Sequence, residues 1–347
     1  MISRLDSDFS SLNQFLEKTK PSQIIILVDE NTHEYCLPTL LGNLQTDIHF
    51  EIVEIEAGEE NKNISTAVQI WEILSDFKVD RKSLLINLGG GVISDLGGFI
   101  ASTYKRGFSF INLPTTLLSM CDASIGGKTG IDHQYLKNIV GTFALPERIF
   151  VYTDFLKTLP FIELRSGFAE MLKHGLIADI QHWDALSSIT EFTPESVAPF
   201  IETSMKIKQE VVNKDFKEQN VRKTLNFGHT IGHAVESLFM ALEKPIPHGE
   251  AVALGMITES YLALTEGLID NETYHNIEKH LLRFYPYISI KEFSNDSIIT
   301  LMKNDKKNQN GIVNFALING IGSCLFDYKV DEKQVIAALD YYRNLEK

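Results

Sequence analysis

Two short, continuous apolar runs constrain this chain more than any other feature: Gln23 to Val28 (Gln-Ile-Ile-Ile-Leu-Val), ending at Asp29, and Ser83 to Leu88. A strand with one wet face would alternate apolar and polar residues, so an unbroken β-branched run calls for burial on both faces, as in a parallel sheet covered by helices. Between the runs, Ile64 to Phe77 places Ala67, Ile70, Trp71 and Leu74 at helical spacing, giving strand, helix and strand at the scale of a βαβ unit. Beyond about Thr158 such runs thin out and helical periodicity takes over, notably in Arg165 to Leu176, Pro199 to Asn213 and Gly249 to Thr265. The expected architecture is an α/β, Rossmann-like nucleotide-binding domain over residues 1–158, then a mainly α-helical domain over 159–347, divided near the Leu159-Pro160 turn. A length of 347 residues agrees with two cores rather than one.

Charge narrows the partners. With 46 acidic against 32 basic residues the formal net charge is -14, which argues against a nucleic-acid partner while leaving room for a small anion in a local basic pocket. The start of the chain lacks a basic stretch followed by an apolar core, and no apolar run approaches a membrane span, so a cytoplasmic protein without membrane contact is expected. Cys36, Cys121 and Cys324 are odd in number and widely spaced, as suits reduced, mostly buried thiols.

Gly89-Gly90-Gly91 follows the second apolar run and precedes Val92-Ile93-Ser94-Asp95, a plausible helix start. Backbone amides there can approach a pyrophosphate unobstructed, although a triple glycine serves equally as a tight strand-to-helix turn. Gly58-Glu59-x-x-Lys62 lies upstream; Pro114-Thr115-Thr116 leads downstream into Asp122 and Gly126-Gly127-Lys128-Thr129. Such polar turns after apolar strands meet at one sheet edge. The last segment mimics the end of a P-loop, but Asp122 stands where that pattern needs glycine. Lys128 remains suited to an anion, with an ordinary surface lysine as the alternative.

His229 and His233 are spaced i, i+4 in Asn226-Phe227-Gly228-His229-Thr230-Ile231-Gly232-His233, on one helical face, and Pro247-His248-Gly249-Glu250 follows. Alone, that pair is either a metal face or packed histidines; His248 favours the metal, and Glu170 is the best carboxylate candidate, with Asp215, Glu218 and the other acidic residues left open as ligands by the residues alone. Glu170 and Lys173 share a helical face, where an exposed ion pair is the alternative to a catalytic lysine.

Taken together, the segments at 89–95, 114–118, 126–130, Lys-Asn-Ile-Val-Gly at 137–141, Arg-Ser-Gly-Phe-Ala-Glu-Met-Leu-Lys at 165–173, 225–234, Pro-His-Gly-Glu-Ala-Val-Ala at 247–253 and Asp-Lys-Lys at 305–307 resemble the 3-dehydroquinate synthase family of the sugar-phosphate cyclase superfamily, in order and spacing, over nearly the whole chain. The resemblance implies metal ligands Glu170, His229 and His248, with zinc expected and cobalt suited to the same donors. His233 is then a non-ligand, joined by Lys173, Asn226, Asp122 and Lys128 as catalytic residues. It further implies NAD contacts from Asp29, Asn31, Glu59, Lys62, Gly90, Gly91, Val92, Asp95, Thr115, Thr116, Asp122, Lys137, Phe155 and Thr158. Substrate phosphate would meet Lys128, Asn138 and Lys306 or Lys307, and substrate carboxylate Lys208 and Arg222. Arg106 would reach a neighbouring subunit's site, which implies a homodimer. The chain departs from the family at Phe216, usually acidic, and at Asn220, usually glycine, where asparagine can supply a left-handed backbone.

The implied reaction converts 3-deoxy-D-arabino-heptulosonate 7-phosphate to 3-dehydroquinate and phosphate, a carbon-oxygen lyase step of the shikimate pathway towards aromatic amino acids. NAD is reduced and reoxidised within one turnover, around phosphate elimination and before an intramolecular aldol closure. The rival readings are a sister cyclase, a metal-dependent NAD polyol dehydrogenase and an inactive NAD-binding relative. Lys128, Lys208 and Arg222 speak for a doubly anionic substrate, and Asn226 for dehydroquinate synthase.

Overall fold

The computed structural model describes residues 2–134, 136–304 and 313–345, so Lys306 and Lys307 lie outside the described residues. The chain divides into two compact units, Met1–Pro160 and Phe161–Lys347.

The first unit runs β1 (Ile2–Arg4), α1 (Ser10–Thr19), β2 (Ile24–Asp29), α2 (Glu30–Tyr35), α3 (Leu37–Asn43), β3 (Phe50–Ile55), α4 (Ile64–Asp76), β4 (Leu84–Gly89), α5 (Gly91–Thr103), β5 (Ser109–Pro114), β6 (Lys128–His133), β7 (Leu136–Phe143) and β8 (Arg148–Val151). Six strands form a parallel sheet in the order β1-β8-β5-β4-β2-β3. The two apolar runs are its centre, each strand one residue later than the sequence reading. Ile24 to Val28 are wholly buried on both faces, as are Leu84 to Leu88 but for a trace at two positions. Ile25 and Leu27 join the core under α4 and α5, while Ile24, Ile26 and Val28 alternate to the other face. Leaving β2 the chain turns outward to β3, then crosses back to β4, so the polar turns after β2 and β4 flank a topological switch point. The antiparallel β6–β7 hairpin stands apart from this sheet and packs on α5.

The second unit comprises α6 (Phe161–Ala178), α7 (Ile180–Ser187), α8 (Pro194–Lys214), α9 (His229–Ala241), α10 (His248–Thr265), α11 (Asn271–Phe284), α12 (Asn295–Asn304), β9 (Asn314–Ile318), β10 (Cys324–Lys329) and α13 (Glu332–Arg343). Thr193 and Ser196 form a capping box that starts α8 with Pro194 in its first turn, and Asp270 and Asp331 cap α11 and α13. The pivot is α10, buried at every position from Gly249 to Ser260 and in contact with α6, α9, α11 and α13. The β9–β10 hairpin interrupts a region that the sequence reading gave to helices; Phe315 to Ile318 are buried within it. Among the described residues no helix is long and apolar enough to cross a membrane. The three cysteines are free, with Cys36 and Cys121 buried.

Candidate active site

In the second unit, three helices bring one carboxylate and three imidazoles together. Glu170 and Lys173 lie on the inward face of α6, each only 1% exposed, and the Lys173 ammonium donates to Glu170 Oε2. Their i, i+3 spacing therefore makes a buried pair rather than the exposed one it usually signals. His229 and His233 stack edge to face on α9, ring centres 4.9 Å apart. His248 opens α10, whose first turn is fastened to α6 by a hydrogen bond from Gly249 N to Ser166 Oγ at 2.9 Å.

The nitrogens are aimed. His229 Nδ1 is 3.1 Å from the Phe227 carbonyl and His248 Nδ1 is 3.4 Å from Glu236 Oε2. Each ring then presents Nε2 to Glu170 Oε1, at 3.3 Å for His229 and 3.7 Å for His248. A second partner that fixes the remote nitrogen is how imidazoles are oriented as metal ligands. Glu170 Oε1 is buried and makes no well-aligned hydrogen bond, so it faces the two Nε2 atoms as an uncommitted donor. The ligand atoms of His229, His233 and His248 also lie within 4.8 Å of one another. A nitrogen and oxygen set of this kind fits a divalent transition metal with positions left for substrate.

Electrostatics agree. Burial works against the charge of Glu170, but Lys173 and then His229 hold its pKa well below the usual carboxylate range. Burial lowers that of His229. Burial also opposes charge on His248, yet bonds to Glu170 and Glu236 raise its pKa to about 10, which marks a place that stabilises positive charge.

The start of α9 is built by α10. Gly228, the N-cap, has φ 79° and no capping side chain of its own. Glu259, wholly buried one turn beyond Gly255, accepts from Gly228 N at 2.6 Å and from Ile231 N at 3.0 Å. The helices cross so closely that a Cβ at Gly255 would lie 1.8 Å from the Gly228 carbonyl oxygen. Glu259 and Glu236 escaped the sequence reading; a charged residue inside an otherwise apolar helix was the available signal for Glu259.

Lys208 on α8 and Arg222 in the turn 221–226 are both buried, in elements that touch. Asp215 folds the connecting loop by accepting from the amides of Gln219 (3.0 Å), Asn220 (2.7 Å) and Arg222 (3.1 Å). Asn220 does not take the left-handed backbone expected of it. Asn220 has φ -138°, and the left-handed residue is Glu218, at φ 57°. The Asp215 bonds pin Asn220 in place and shift the reversal two residues back. Glu218 Oε1 accepts from Asn226 Nδ2 at 3.1 Å. Phe216 serves through its carbonyl, which accepts from Arg222 Nη1 at 2.6 Å, so its side chain is not needed for that contact.

In the first unit, most of the residues expected around a cofactor follow the carboxyl ends of strands of the main sheet, whereas Lys137 lies on the β6–β7 hairpin. Asp29 ends β2 and caps α2 through Thr32, with Asn31 exposed in the first turn. Gly90 is the N-cap of α5; Gly91 and Val92 begin it, leaving its first amides turned outward. Thr115 N bonds Gly89 O at 3.1 Å, joining the Thr115-Thr116 turn to the glycine turn. Lys62, 3% exposed, lies 2.5 Å from Glu59 Oε1, 3.5 Å from Asp95 Oδ2 and 3.8 Å from Asp132 Oδ1. Burial disfavours its charge, but Asp95 and Glu59 more than offset this and raise its pKa; burial pushes Asp95 up to about 7 against the pull of Lys62. Asp122 falls in a π-helical turn, Ser119–Ala123, an irregularity common at functional sites. Lys128 starts β6, and Lys137 and Asn138 are exposed on β7. Arg106 is exposed, with φ 65°, after α5. Phe155 is buried and Thr158 exposed in the turn Thr153–Thr158.

The fold of the chain is that of the sugar-phosphate cyclases, shared more distantly with NAD-dependent dehydrogenases. Over its full length the chain resembles 2-epi-5-epi-valiolone synthase from Streptomyces hygroscopicus, solved with NAD+ and Zn2+ (26% identity, TM-score 0.87, 100% of this chain and 97% of that one). More distantly it shares the fold of a probable glycerol dehydrogenase from Sinorhizobium meliloti (12% identity, TM-score 0.67, 99% and 96%). The chain belongs to the 3-dehydroquinate synthase family. Residues 52–166 match that family's N-terminal description and 167–308 its C-terminal one. The 3-dehydroquinate synthase of Parabacteroides distasonis is 40% identical over 336 residues, 96% of this chain and 95% of that protein. That of a Campylobacter jejuni strain is 39% identical over 325 residues, 92% of each.

Proposed function

We propose that this chain is a 3-dehydroquinate synthase, a phosphate-eliminating lyase that turns 3-deoxy-D-arabino-heptulosonate 7-phosphate into 3-dehydroquinate with no net oxidation. One observation carries the reading beyond family membership: His229 and His248, their Nδ1 atoms held from behind, both present Nε2 to a buried Glu170 oxygen that has no other bond.

Glu170, His229 and His248 would hold zinc or cobalt. Asp29, Asn31, Glu59, Lys62, Gly90, Gly91, Val92, Asp95, Thr115, Thr116, Asp122, Lys137, Phe155 and Thr158 would hold NAD. When bound, the dinucleotide supplies a reversible hydride acceptor and the cation a Lewis acid that polarises a substrate hydroxyl. The protein's own groups do the rest. Lys128 and Asn138, with Arg106 from a second subunit of a homodimer, bind the phosphate and stabilise the charge that grows as it leaves. Buried Lys208 and Arg222 take the carboxylate, the arginine through its planar fork. Lys173 holds Glu170 ionised and, with Asn226 and His233, orients hydroxyls and moves protons during elimination and closure. Free cysteines and an acidic surface suit the cytoplasm.

The test is an anaerobic assay with defined zinc that follows phosphate and reduced cofactor together. Phosphate release without accumulating NADH is expected. One NADH per substrate would replace this reading with a dehydrogenase.

A further inference from the structure

The β6–β7 hairpin carries three of the residues assigned above, Lys128, Lys137 and Asn138, yet it lies outside the main sheet. One carboxylate ties it to the cofactor cradle. Asp132 N donates to the Lys62 carbonyl at 2.8 Å, and Asp132 forms an isolated parallel bridge with Asn63. Its side chain reaches two ways: Oδ1 accepts from Asn138 N at 2.6 Å and stands 3.8 Å from Lys62 Nζ.

The hairpin needs that brace where it is irregular. Its register shifts between Ile131 and His133, where Asp132 sits, and Asn138 on the return strand holds φ 52°. A left-handed residue turns its amide out of the ladder, and the amide must then find another acceptor. Asp132 supplies one, and the charge of the carboxylate shortens and strengthens the bond. The rest of the hairpin is held independently: Thr129 Oγ1 and Thr142 Oγ1 lie 2.7 Å apart, as do Ser102 Oγ on α5 and Thr142 Oγ1. Loss of the Asp132 side chain therefore leaves the hairpin folded and its backbone bridge to Lys62 and Asn63 intact, and removes the carboxylate acceptor at the Asn138 amide.

We propose that Asp132 is a positioning residue for the phosphate subsite: it sets the backbone at Asn138 and anchors it to Lys62, so that a lysine of the cofactor cradle also governs substrate binding. This rests on the reading of Lys128 and Asn138 as phosphate contacts.

The test uses the zinc-loaded enzyme at saturating NAD and measures KM and kcat for the sugar-acid phosphate. Asp132→Ala should raise KM about tenfold, the worth of one charge-assisted hydrogen bond. Asp132→Asn keeps an acceptor for the Asn138 amide but loses the charge facing Lys62, so its KM should rise by about threefold, between the parent and the alanine variant. Lys62→Met should raise KM although NAD is saturating, and combining it with Asp132→Ala should add nothing further, because both act through one contact. A merely structural role would lower melting temperature and active fraction without this pattern. An unchanged KM in Asp132→Ala, an additive double variant, or an asparagine variant as impaired as the alanine one would each overturn the proposal. Lys128→Ala separates the two levels. If it leaves KM unchanged, the phosphate assignment falls and the proposal with it; if it raises KM while Asp132→Ala does not, only the role of Asp132 is lost.

Discussion

Replacing Glu259 with glutamine tests whether the start of α9, and with it His229, is built from α10. In the native chain both oxygens of a wholly buried carboxylate are used, one on Gly228 N at 2.6 Å and the other on Ile231 N at 3.0 Å. Glutamine keeps one acceptor and turns an amide nitrogen towards the second N–H. The loss is one charge-assisted bond, about 1.5–3 kcal/mol, plus part of the cost of stranding a buried donor, so about 3 kcal/mol in all. For a unit of this size that lowers the melting temperature by about 6–12 °C. His229 is the first residue of α9, so its aim loosens as the helix start frays, and zinc affinity should fall about 10–100-fold, as when other groups that orient ligands are lost. Circular-dichroism melts of the metal-free protein give the first quantity, and zinc competition against a chromophoric chelator gives the second. A melting temperature within about 2 °C of the parent, with zinc affinity unchanged, would refute the argument.

Two other outcomes follow from the second unit. His182 is buried on α7 against Ser204 Oγ at 2.8 Å, and burial, with His174 adding to it and Asp179 opposing, lowers its pKa from 6.5 to about 4. A folded pKa below the unfolded one means this contribution to stability is intact above pH 6.5 and is lost as pH falls towards 4, up to about 3 kcal/mol; His182→Gln should flatten that part of the urea-stability profile, and equal slopes in variant and parent would count against it. His248→Ala removes one proposed ligand and should cut zinc stoichiometry and lower phosphate release at least about 100-fold. Undiminished turnover in a zinc-free His248→Ala preparation would remove the metal assignment.

How far the sequence could be read differs from one element to the next. Strands β2 and β4 were visible because burial on both faces writes itself as an unbroken apolar run, and α4 because one buried face writes itself at helical spacing. Helix α10 is apolar nearly all round, so periodicity locates it without saying which face meets which neighbour. The β9–β10 hairpin was missed because its buried run is only four residues long, too short to separate from a helix by pattern. Asp132 and Glu259 are two among 46 acidic residues. What sets them apart is a side-chain bond to a backbone amide, across an irregular hairpin for Asp132 and on another helix for Glu259, and no local pattern encodes that.

The histidines show where spacing stops and packing begins. The i, i+4 interval puts His229 and His233 on one face of α9, but it is silent on which nitrogen of either ring points inward. That is decided by the Phe227 carbonyl behind one ring of the cluster and Glu236 behind another, the second three residues past His233 on the same helix yet engaged with His248 on α10. Glu170 likewise has the expected spacing to Lys173, but its value as a donor comes from burial beneath the crossing of α6 and α10, which leaves Oε1 facing two imidazoles. The sequence therefore supplies the donor types, whereas their direction is a property of three helices packed together. That is why Glu259, which holds the amides of Gly228 and Ile231 on either side of His229, is expected to control metal affinity.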